Sequence, residues 1–174
     1  MKFGAESPIQ RGMITTQINN KRVLGLWLFF MPSKLLPISR KEEKWVKALT
    51  GEKSWTYHFT RGCIRSVISI MTGSDPLEVP LKADPGKPPL LAEGWGHISI
   101  SHCHDALLIG WSNEKIGVDI ERKDRKFEAT KLSKRFFTQY ENCEIENLTS
   151  SQAKKQILKR WTVKEAAIKW QRGK

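Results

Sequence analysis

The chain has 174 residues, of which 39% are apolar and 28% charged, a balance typical of a globular protein with one or two small domains. Lysine and arginine number 30 against 18 acidic residues, so the formal net charge is +12. This excess favours a polyanionic partner, which leaves nucleic acid, an anionic membrane, an acidic protein or a phosphorylated cofactor open. The charge alone does not choose among them.

The sequence carries no sign of export or membrane insertion. The longest apolar run, residues 23–31, is far shorter than the ~20 residues that a spanning helix needs. The first 22 residues lack the apolar core of a signal peptide. Three widely spaced cysteines, Cys63, Cys103 and Cys143, do not suggest a disulfide framework. We therefore expect a cytoplasmic protein.

The first half of the chain predicts one strand and two helices. Residues 1–20 are expected to be a loose arm, and residues 23–31 a buried strand that stops at Pro32. Ser39 with Glu42 three residues later has the form of a capping box, and Gly51 is the expected end of that helix. Apolar residues at helical spacing predict a second helix over 55–71, with Arg61 and Arg65 together on another face.

The second half predicts a loop at 82–97, then strands at 98–101, 106–112 and 116–121. Helices are expected at 127–137 and 150–174. Strand and helices thus occur twice, which predicts an α+β fold of two similar α/β lobes. The expected division is an arm at 1–20, an N-terminal lobe at 21–97 and a C-terminal lobe at 98–174 that carries the metal site.

Two carboxylates close the predicted third strand. Side chains alternate along a strand, so Asp119 and Glu121 would share one face and Ile120 the other. Two acids on one face repel each other unless a cation lies between them. The alternatives are a solvated strand end and a metal site. The nearby His-Cys-His at 102–104 does not favour zinc, because no second cluster supplies further ligands.

Two other segments have an ordinary and a functional interpretation. On a helix, Trp161, Glu165 and Lys169 lie one turn apart, either as a simple Glu–Lys pair or as a catalytic face. Lys87 lies in a rigid Gly-Lys-Pro loop, and His102 ends a strand, either as a polar terminus or beside a cleft. Spacing alone does not decide among these interpretations.

The segments GKP (86–88), ISISH (98–102), GVDIE (117–121), KRFF (134–137) and WTVKEAAIK (161–169) decide it when taken together. In this order and spacing they closely resemble the 4′-phosphopantetheinyl transferases, most closely the larger, two-lobed Sfp kind. The resemblance extends back through ISRKEEK (38–44) and TRGCIRSVIS (60–69), so that it covers about residues 23–174. It implies two lobes related by a pseudo-two-fold axis, with a second lobe that is short at its C-terminal end.

The resemblance implies transfer of the 4′-phosphopantetheine arm of coenzyme A to a serine of an apo acyl or peptidyl carrier protein. Adenosine 3′,5′-bisphosphate is released, and the cofactor is Mg²⁺, with Mn²⁺ as an alternative. By their positions in the motifs, Asp119, Glu121 and Glu165 would be the metal carboxylates. Glu165 would also accept the serine proton, and Lys169 would stabilise the phosphates. The implied coenzyme contacts are Lys41, Lys44, Arg61, Lys87, Pro88, Ser101, His102 and Lys164.

The resemblance further implies a monomer, without a membrane partner. An exposed basic cluster is expected to meet the acidic carrier protein: Lys131, Lys134, Arg135, Lys154, Lys155 and Lys159. Two alternatives stay open. Seven tryptophans and 30 basic residues also suit a nucleic-acid-binding module, which is less favoured because no known nucleic-acid motif occurs. A non-catalytic carrier-protein binder is the other.

Overall fold

The computed structural model describes residues 11–18, 22–31 and 34–172. Six strands and five helices occur in this part of the chain. The strands are β1 (Arg11–Ile18), β2 (Arg22–Phe30), β3 (Leu81–Lys82), β4 (Leu90–Leu91), β5 (His97–His102) and β6 (Ala106–Ser112). The helices are α1 (Arg40–Ala48), α2 (Gly51–Thr72), α3 (Ala129–Phe136), α4 (Gln139–Glu146) and α5 (Ser150–Arg172). The chain mixes helices and strands, which agrees with the predicted α+β fold at the level of its class.

Four antiparallel strands form the main sheet in the order β1-β2-β6-β5, and β3 pairs with β4 separately. The sheet joins strands from both predicted lobes, because β2 lies in the expected N-terminal lobe and β6 in the C-terminal one. The two-lobed symmetry and the division at residue 97 therefore stay predictions.

Helix α2 covers one face of the sheet, and the principal core lies between them. Trp27 and Phe29 of β2 pair in register with Ile109 and Leu107 of β6, and all four are buried against α2. Phe59, Cys63, Ile64, Val67 and Ile68 supply the helix side of this core. Burial raises the pKa of the Cys63 thiol to about 12, so that this cysteine is an inert core residue.

A buried ion pair fastens α1 to α2. Arg65 donates through Nε to Glu42 at 2.7 Å and through a terminal nitrogen to the carbonyls of Pro76, Leu77 and Val79. Both ionic side chains are almost fully buried. The same Glu42 oxygen accepts from the backbone N–H of Ser39, which completes the predicted capping box. One carboxylate thus begins α1 and holds it on α2.

A second, smaller core lies among the three C-terminal helices. Phe137, Ile145 and Ile157 are its buried residues, and Phe127 and Leu132 pack against it. The predicted helices at 127–137 and 150–174 correspond to α3 and α5, and α4 lies between them. None of the helices in the described part of the chain could cross a bilayer.

Three expectations about local structure are wrong. Residues 11–18 are a strand paired with β2 and not part of a loose arm, whereas residues 1–10 and 19–20 lie outside the described residues. Gly51 does not end α1, which stops at Ala48; it begins α2 with φ at +55°. Residues 115–122 form no strand, because β5 pairs with β6 and the segment after β6 joins no ladder.

The buried pair should dominate the stability of the α1–α2 unit. Glu42→Ala is expected to lower the free energy of unfolding by ~3–5 kcal/mol, because it leaves the buried Arg65 charge without its partner. Urea unfolding followed by circular dichroism measures this. Glu128→Ala is the matched control, since Glu128 pairs with Lys131 and the two side chains are 70% and 80% exposed. Such a pair contributes ~0–1 kcal/mol. Equal losses in the two variants would contradict the assignment.

Candidate functional site

The irregular 115–122 segment lies between the main sheet and α5. Two glycines permit this close approach. A Cβ at Gly110 of β6 would come within 2.5 Å of Val118 and 2.9 Å of Ile116. A Cβ at Gly117 would collide with the carbonyl oxygen of Ala166 and the backbone nitrogen of Trp170 in α5. The segment is therefore the layer through which α5 is held on the sheet.

Asp119 connects all three layers. Its Oδ1 accepts a hydrogen bond from the Ser101 hydroxyl of β5 at 2.7 Å and another from Lys169 Nζ of α5 at 2.7 Å. Its side chain is only 7% exposed. Its Oδ2 is buried and has no hydrogen-bond partner among the described residues. An unpaired buried carboxylate oxygen is costly, and a cation would satisfy it.

The other two predicted metal carboxylates have different surroundings. Glu121 forms an ion pair with Arg125, four residues further along the chain. Glu165 is half-buried on α5, one helical turn before Lys169. Among the described residues, no group of three or more His, Cys, Asp or Glu side chains is arranged to hold a metal. The expected three-carboxylate cluster is thus not assembled here, because the 116–121 strand that would align Asp119 with Glu121 does not form.

The donor chemistry nevertheless fits a hard cation. Mg²⁺ is commonly held by one or two carboxylates together with the phosphates of a substrate, so a complete protein cage is not required. The unpaired Oδ2 of Asp119 supplies one oxygen of the right kind. That Glu121 and Glu165 bind the same cation as Asp119 stays a prediction.

Arg61, Lys87 and His102 line a common cavity of about 470 Å³ on the α2 face of the sheet. Arg61 is 5% exposed, donates through Nε to the carbonyl of Ala83 at 3.2 Å, and lies over the Tyr57 ring at 4.6 Å. Burial lowers the pKa of its guanidinium, and Tyr57 opposes that change. No acidic side chain within the described residues forms an ion pair with Arg61, so this cavity suits an anion.

A larger cavity of about 950 Å³ runs along the open edge of β5. Lys87, Pro88 and Lys169 line it, together with apolar residues such as Leu91 and Trp111. Lys87 lines both this cavity and the one that contains Arg61. We call the two cavities together the β5 groove. It brings together four of the predicted coenzyme residues and the predicted catalytic lysine.

The groove lies at the edge of β5, and successive side chains of that strand point to opposite faces of the sheet. Ser101 points to the 115–122 segment, where it meets Asp119, whereas His102 lines the cavity beside Arg61. Ser101 and His102 were predicted to bind the same ligand. They can do so only if that ligand extends around the edge of β5.

Besides Ser101, three predicted coenzyme residues lie apart from the groove lining. Lys41 is 69% exposed and pairs with Asp84 at 3.4 Å, next to the loop that carries Lys87. Lys44 is exposed on α1. Lys164 pairs with Glu141 of α4 at 2.9 Å. Together with the Thr138 cap, Lys164 lowers the pKa of Glu141 to about 2, the cap making the larger contribution. Lys164 thus holds α4 on α5.

The predicted carrier surface carries an exposed aromatic residue beside its charges. In KRFF, Phe137 is buried and Phe136 is 43% exposed. The Phe136 ring meets Trp161 edge-on at 4.8 Å, and the Arg135 guanidinium lies over Phe136 at 5.1 Å. Trp161 is one helical turn before Glu165, so this aromatic pair lies beside the predicted catalytic face of α5.

Sequence analysis missed Ser99 and the spatial roles of Gly110 and Gly117. Ser99 Oγ accepts a hydrogen bond from the backbone N–H of Val118 at 3.1 Å. A buried serine in the centre of an apolar strand was a usable signal, because a buried hydroxyl needs a partner. The two glycines gave a weaker signal, since a glycine inside a strand pattern marks close backbone approach only in some cases.

The comparisons agree with the motifs in the last third of the chain. Residues 115–174 match the family model described as the 4′-phosphopantetheinyl transferase superfamily. The match includes GVDIE, KRFF and WTVKEAAIK, and it confirms the superfamily predicted from them. No curated protein matches the chain. The predicted resemblance to the larger Sfp kind, and its extension over residues 23–114, stay predictions.

Proposed function

From the superfamily to which residues 115–174 are matched, we propose that this chain transfers the 4′-phosphopantetheine arm of coenzyme A to a serine of an apo acyl or peptidyl carrier protein. The products are holo carrier protein and adenosine 3′,5′-bisphosphate. The observation that carries the proposal is the contact of Lys169 with Asp119 at one side of the β5 groove, with Arg61 and His102 at the other. We further propose a monomer that acts in the cytoplasm.

Coenzyme A suits the groove because its charges are spread along an extended molecule. The cavity beside Arg61 and His102 would take the 3′-phosphate and the nucleotide. Lys87, which lines both cavities, would also face the 3′-phosphate. The apolar edge of β5 with Lys169 would then receive the pyrophosphate and the pantetheine arm.

The reaction is attack by the carrier serine oxygen on the phosphorus that bears the pantetheine arm. A new P–O bond to serine forms, and the P–O bond to the adenosine phosphate breaks, so the number of phosphates is conserved. Glu165 would accept the serine proton, and its half-buried position one turn from Lys169 supports that role. The Lys169 ammonium would stabilise the charge on the departing phosphate. Positioning by the groove supplies much of the remaining rate acceleration.

A divalent cation, Mg²⁺ with Mn²⁺ as an alternative, supplies charge neutralisation at the pyrophosphate when it is bound. Asp119, Glu121 and Glu165 would hold it, and the unpaired Oδ2 of Asp119 supports this assignment. Lys169 already occupies Oδ1 of the same carboxylate. The lysine therefore lies beside the proposed cation and is placed to serve the same phosphates.

The carrier protein would dock on α3 and α5, beside Glu165. Phe136 and Trp161 give an apolar contact within one turn of that residue. Lys134 of α3 and Lys155 and Lys159 of α5 are exposed on the same two helices. Opposite charges steer association chiefly by raising the on-rate, so the acidic surface of a carrier protein fits this face.

The direct test incubates the full chain with coenzyme A, Mg²⁺ and an apo carrier protein, followed by intact-mass spectrometry of the carrier. Gain of one phosphopantetheine per carrier supports the proposal. Tight carrier binding without mass gain would favour the non-catalytic binder. Binding of single-stranded nucleic acid in place of both would favour the nucleic-acid alternative.

Glu165 and Asp119 should be essential for transfer. Glu165→Gln is expected to lower kcat by ~10²–10⁴-fold, because the amide cannot accept the serine proton. Asp119→Asn should also abolish transfer, while coenzyme binding without metal survives in part. The control is Glu146→Gln, an exposed glutamate at the end of α4, which should retain full activity. Turnover like that of the unchanged protein in either site variant would refute the catalytic assignment.

The 3′-phosphate should be recognised at the cavity beside Arg61. His102→Ala and Lys87→Ala are each expected to weaken coenzyme A binding by ~1.5–3 kcal/mol, the value of one hydrogen bond to a charged group. Binding of 3′-dephospho-coenzyme A should change much less, which calorimetry can measure. Lys82→Ala is the matched control, an exposed lysine of the same stretch that lines neither cavity. Equal weakening for both ligands would assign these residues a structural role.

The basic face should matter for the carrier and not for the coenzyme. Replacing Lys134, Lys155 and Lys159 together by glutamate is expected to raise the KM for apo carrier protein at low salt, with coenzyme A binding unchanged. The difference should shrink at ~0.5 M salt, where the screening length is roughly 4–5 Å.

The control for that experiment reverses three exposed basic residues elsewhere, Arg40, Lys47 and Lys82. It should leave the KM for the carrier nearly unchanged. If the first variant binds carrier protein normally and loses affinity for single-stranded DNA, the nucleic-acid alternative gains and the assigned partner is wrong.

A further inference from the structure

Ser99 lies in the centre of β5 on the face opposite α2. Its neighbours Ile98 and Ile100 point the other way, into the principal core. Ser99 is 7% exposed, and its cross-strand partner is Gly110, which leaves room above it. A serine contributes little hydrophobic stabilisation at such a position. A buried hydroxyl at this position is therefore best explained by the group to which it is hydrogen-bonded.

The Ser99 hydroxyl holds the backbone of the 115–122 segment. Its Oγ accepts the Val118 N–H at 3.1 Å in a buried environment. Since this segment joins no strand ladder, its buried N–H groups need partners of another kind. Gly110 on the sheet side and Gly117 on the α5 side let the segment lie close to both neighbours. The bond from Val118 to Ser99 then fixes where along β5 the segment lies.

Asp119 follows Val118 directly, and Ser101 follows Ser99 by two residues on the same face of β5. Ser99 therefore binds the backbone at 118, while Ser101 binds the side chain at 119. The two serines hold two consecutive residues against two consecutive positions of the strand face. Oδ1 of Asp119 is thereby turned to Ser101 and Lys169, which leaves Oδ2 buried and unpaired among the described residues.

We infer that Ser99 is a positioning residue for Asp119: by fixing the Val118 peptide it sets the direction of the carboxylate oxygen that would bind the cation. The inference rests on the proposed metal role of Asp119. Ser99 also lines the larger cavity of the β5 groove, so metal binding measured without coenzyme is the readout that separates a positioning role from a substrate contact. Ser99 acts through the peptide that precedes the ligand, as outer hydrogen bonds do around other metal sites.

The test measures Mn²⁺ binding by electron paramagnetic resonance on the full chain, without coenzyme or carrier. Ser99→Ala is expected to weaken Mn²⁺ binding by ~10-fold, the lower end of the effect of losing an outer hydrogen bond at a metal site. Hydrogen exchange should show faster exchange at the Val118 amide in the same variant. Ser99→Cys keeps most of the side-chain volume but has a weaker acceptor, so its Mn²⁺ affinity should lie between those of the unchanged protein and Ser99→Ala. This second variant keeps the test decisive if Ser99→Ala does not fold.

Ser112→Ala is the matched control. Ser112 is also a strand serine that is 7% exposed, and its Oγ accepts a backbone N–H, that of Glu114 at 3.2 Å. It lies at the far end of β6, so its loss should lower stability comparably and leave Mn²⁺ affinity within about twofold of the unchanged protein.

Two outcomes would overturn the inference, and they differ in what else they overturn. If the unchanged protein binds Mn²⁺ through Asp119, as shown by loss of binding in Asp119→Asn, while Ser99→Ala binds equally well, only the positioning role is wrong. If Asp119→Asn binds as the unchanged protein does, or neither binds, then the proposed metal role of Asp119 is wrong and the inference falls with it.

Discussion

The contact of Asp119 with Ser101 and Lys169 is the constraint on which the site depends. It is a three-layer contact: β5 lies on one side, α5 on the other, and the carboxylate comes from the irregular segment between them. Each bond alone is ordinary. Together they fix α5 relative to the sheet at the place where Lys169 reaches the groove. A change at any of the three residues would therefore alter the position of the others.

The alternation of side chains along β5 explains how one strand can serve two surfaces. Ser99 and Ser101 hold the segment that carries Asp119, while Ile98 and Ile100 complete the principal core. His102, at the end of the strand, faces the cavity of Arg61. An extended ligand that passes the open edge of β5 would meet both faces. A compact ligand could reach only one of them.

Local signals in the sequence were sufficient to predict most helices and strands, and the helix ends that are capped by nearby side chains. The Ser39–Glu42 capping box formed as predicted, because its partners are three residues apart. Gly51 was misassigned, since a glycine with positive φ can begin a helix as well as end one. The predicted 116–121 strand is wrong because the segment lies on the face of the sheet, where the Val118 N–H binds the Ser99 side chain and not a neighbouring strand. The bond between Lys169 and Asp119 joins residues 50 positions apart, and only the folded chain could reveal it.

Two neighbouring buried arginines of α2 differ in how their charges are satisfied. Arg65 forms an ion pair with Glu42 and donates to three backbone carbonyls, so partners within the fold neutralise and satisfy its guanidinium. Arg61, one turn earlier on α2, is equally buried, yet within the described residues no carboxylate pairs with it. Burial of an unpaired guanidinium disfavours the folded state unless an anion binds there. Tyr57, the Ala83 carbonyl and the charge of Glu42 offset part of this cost, and an anion in the adjacent cavity would offset more of it. That difference between two neighbouring arginines supports the proposal that the groove binds an anionic ligand.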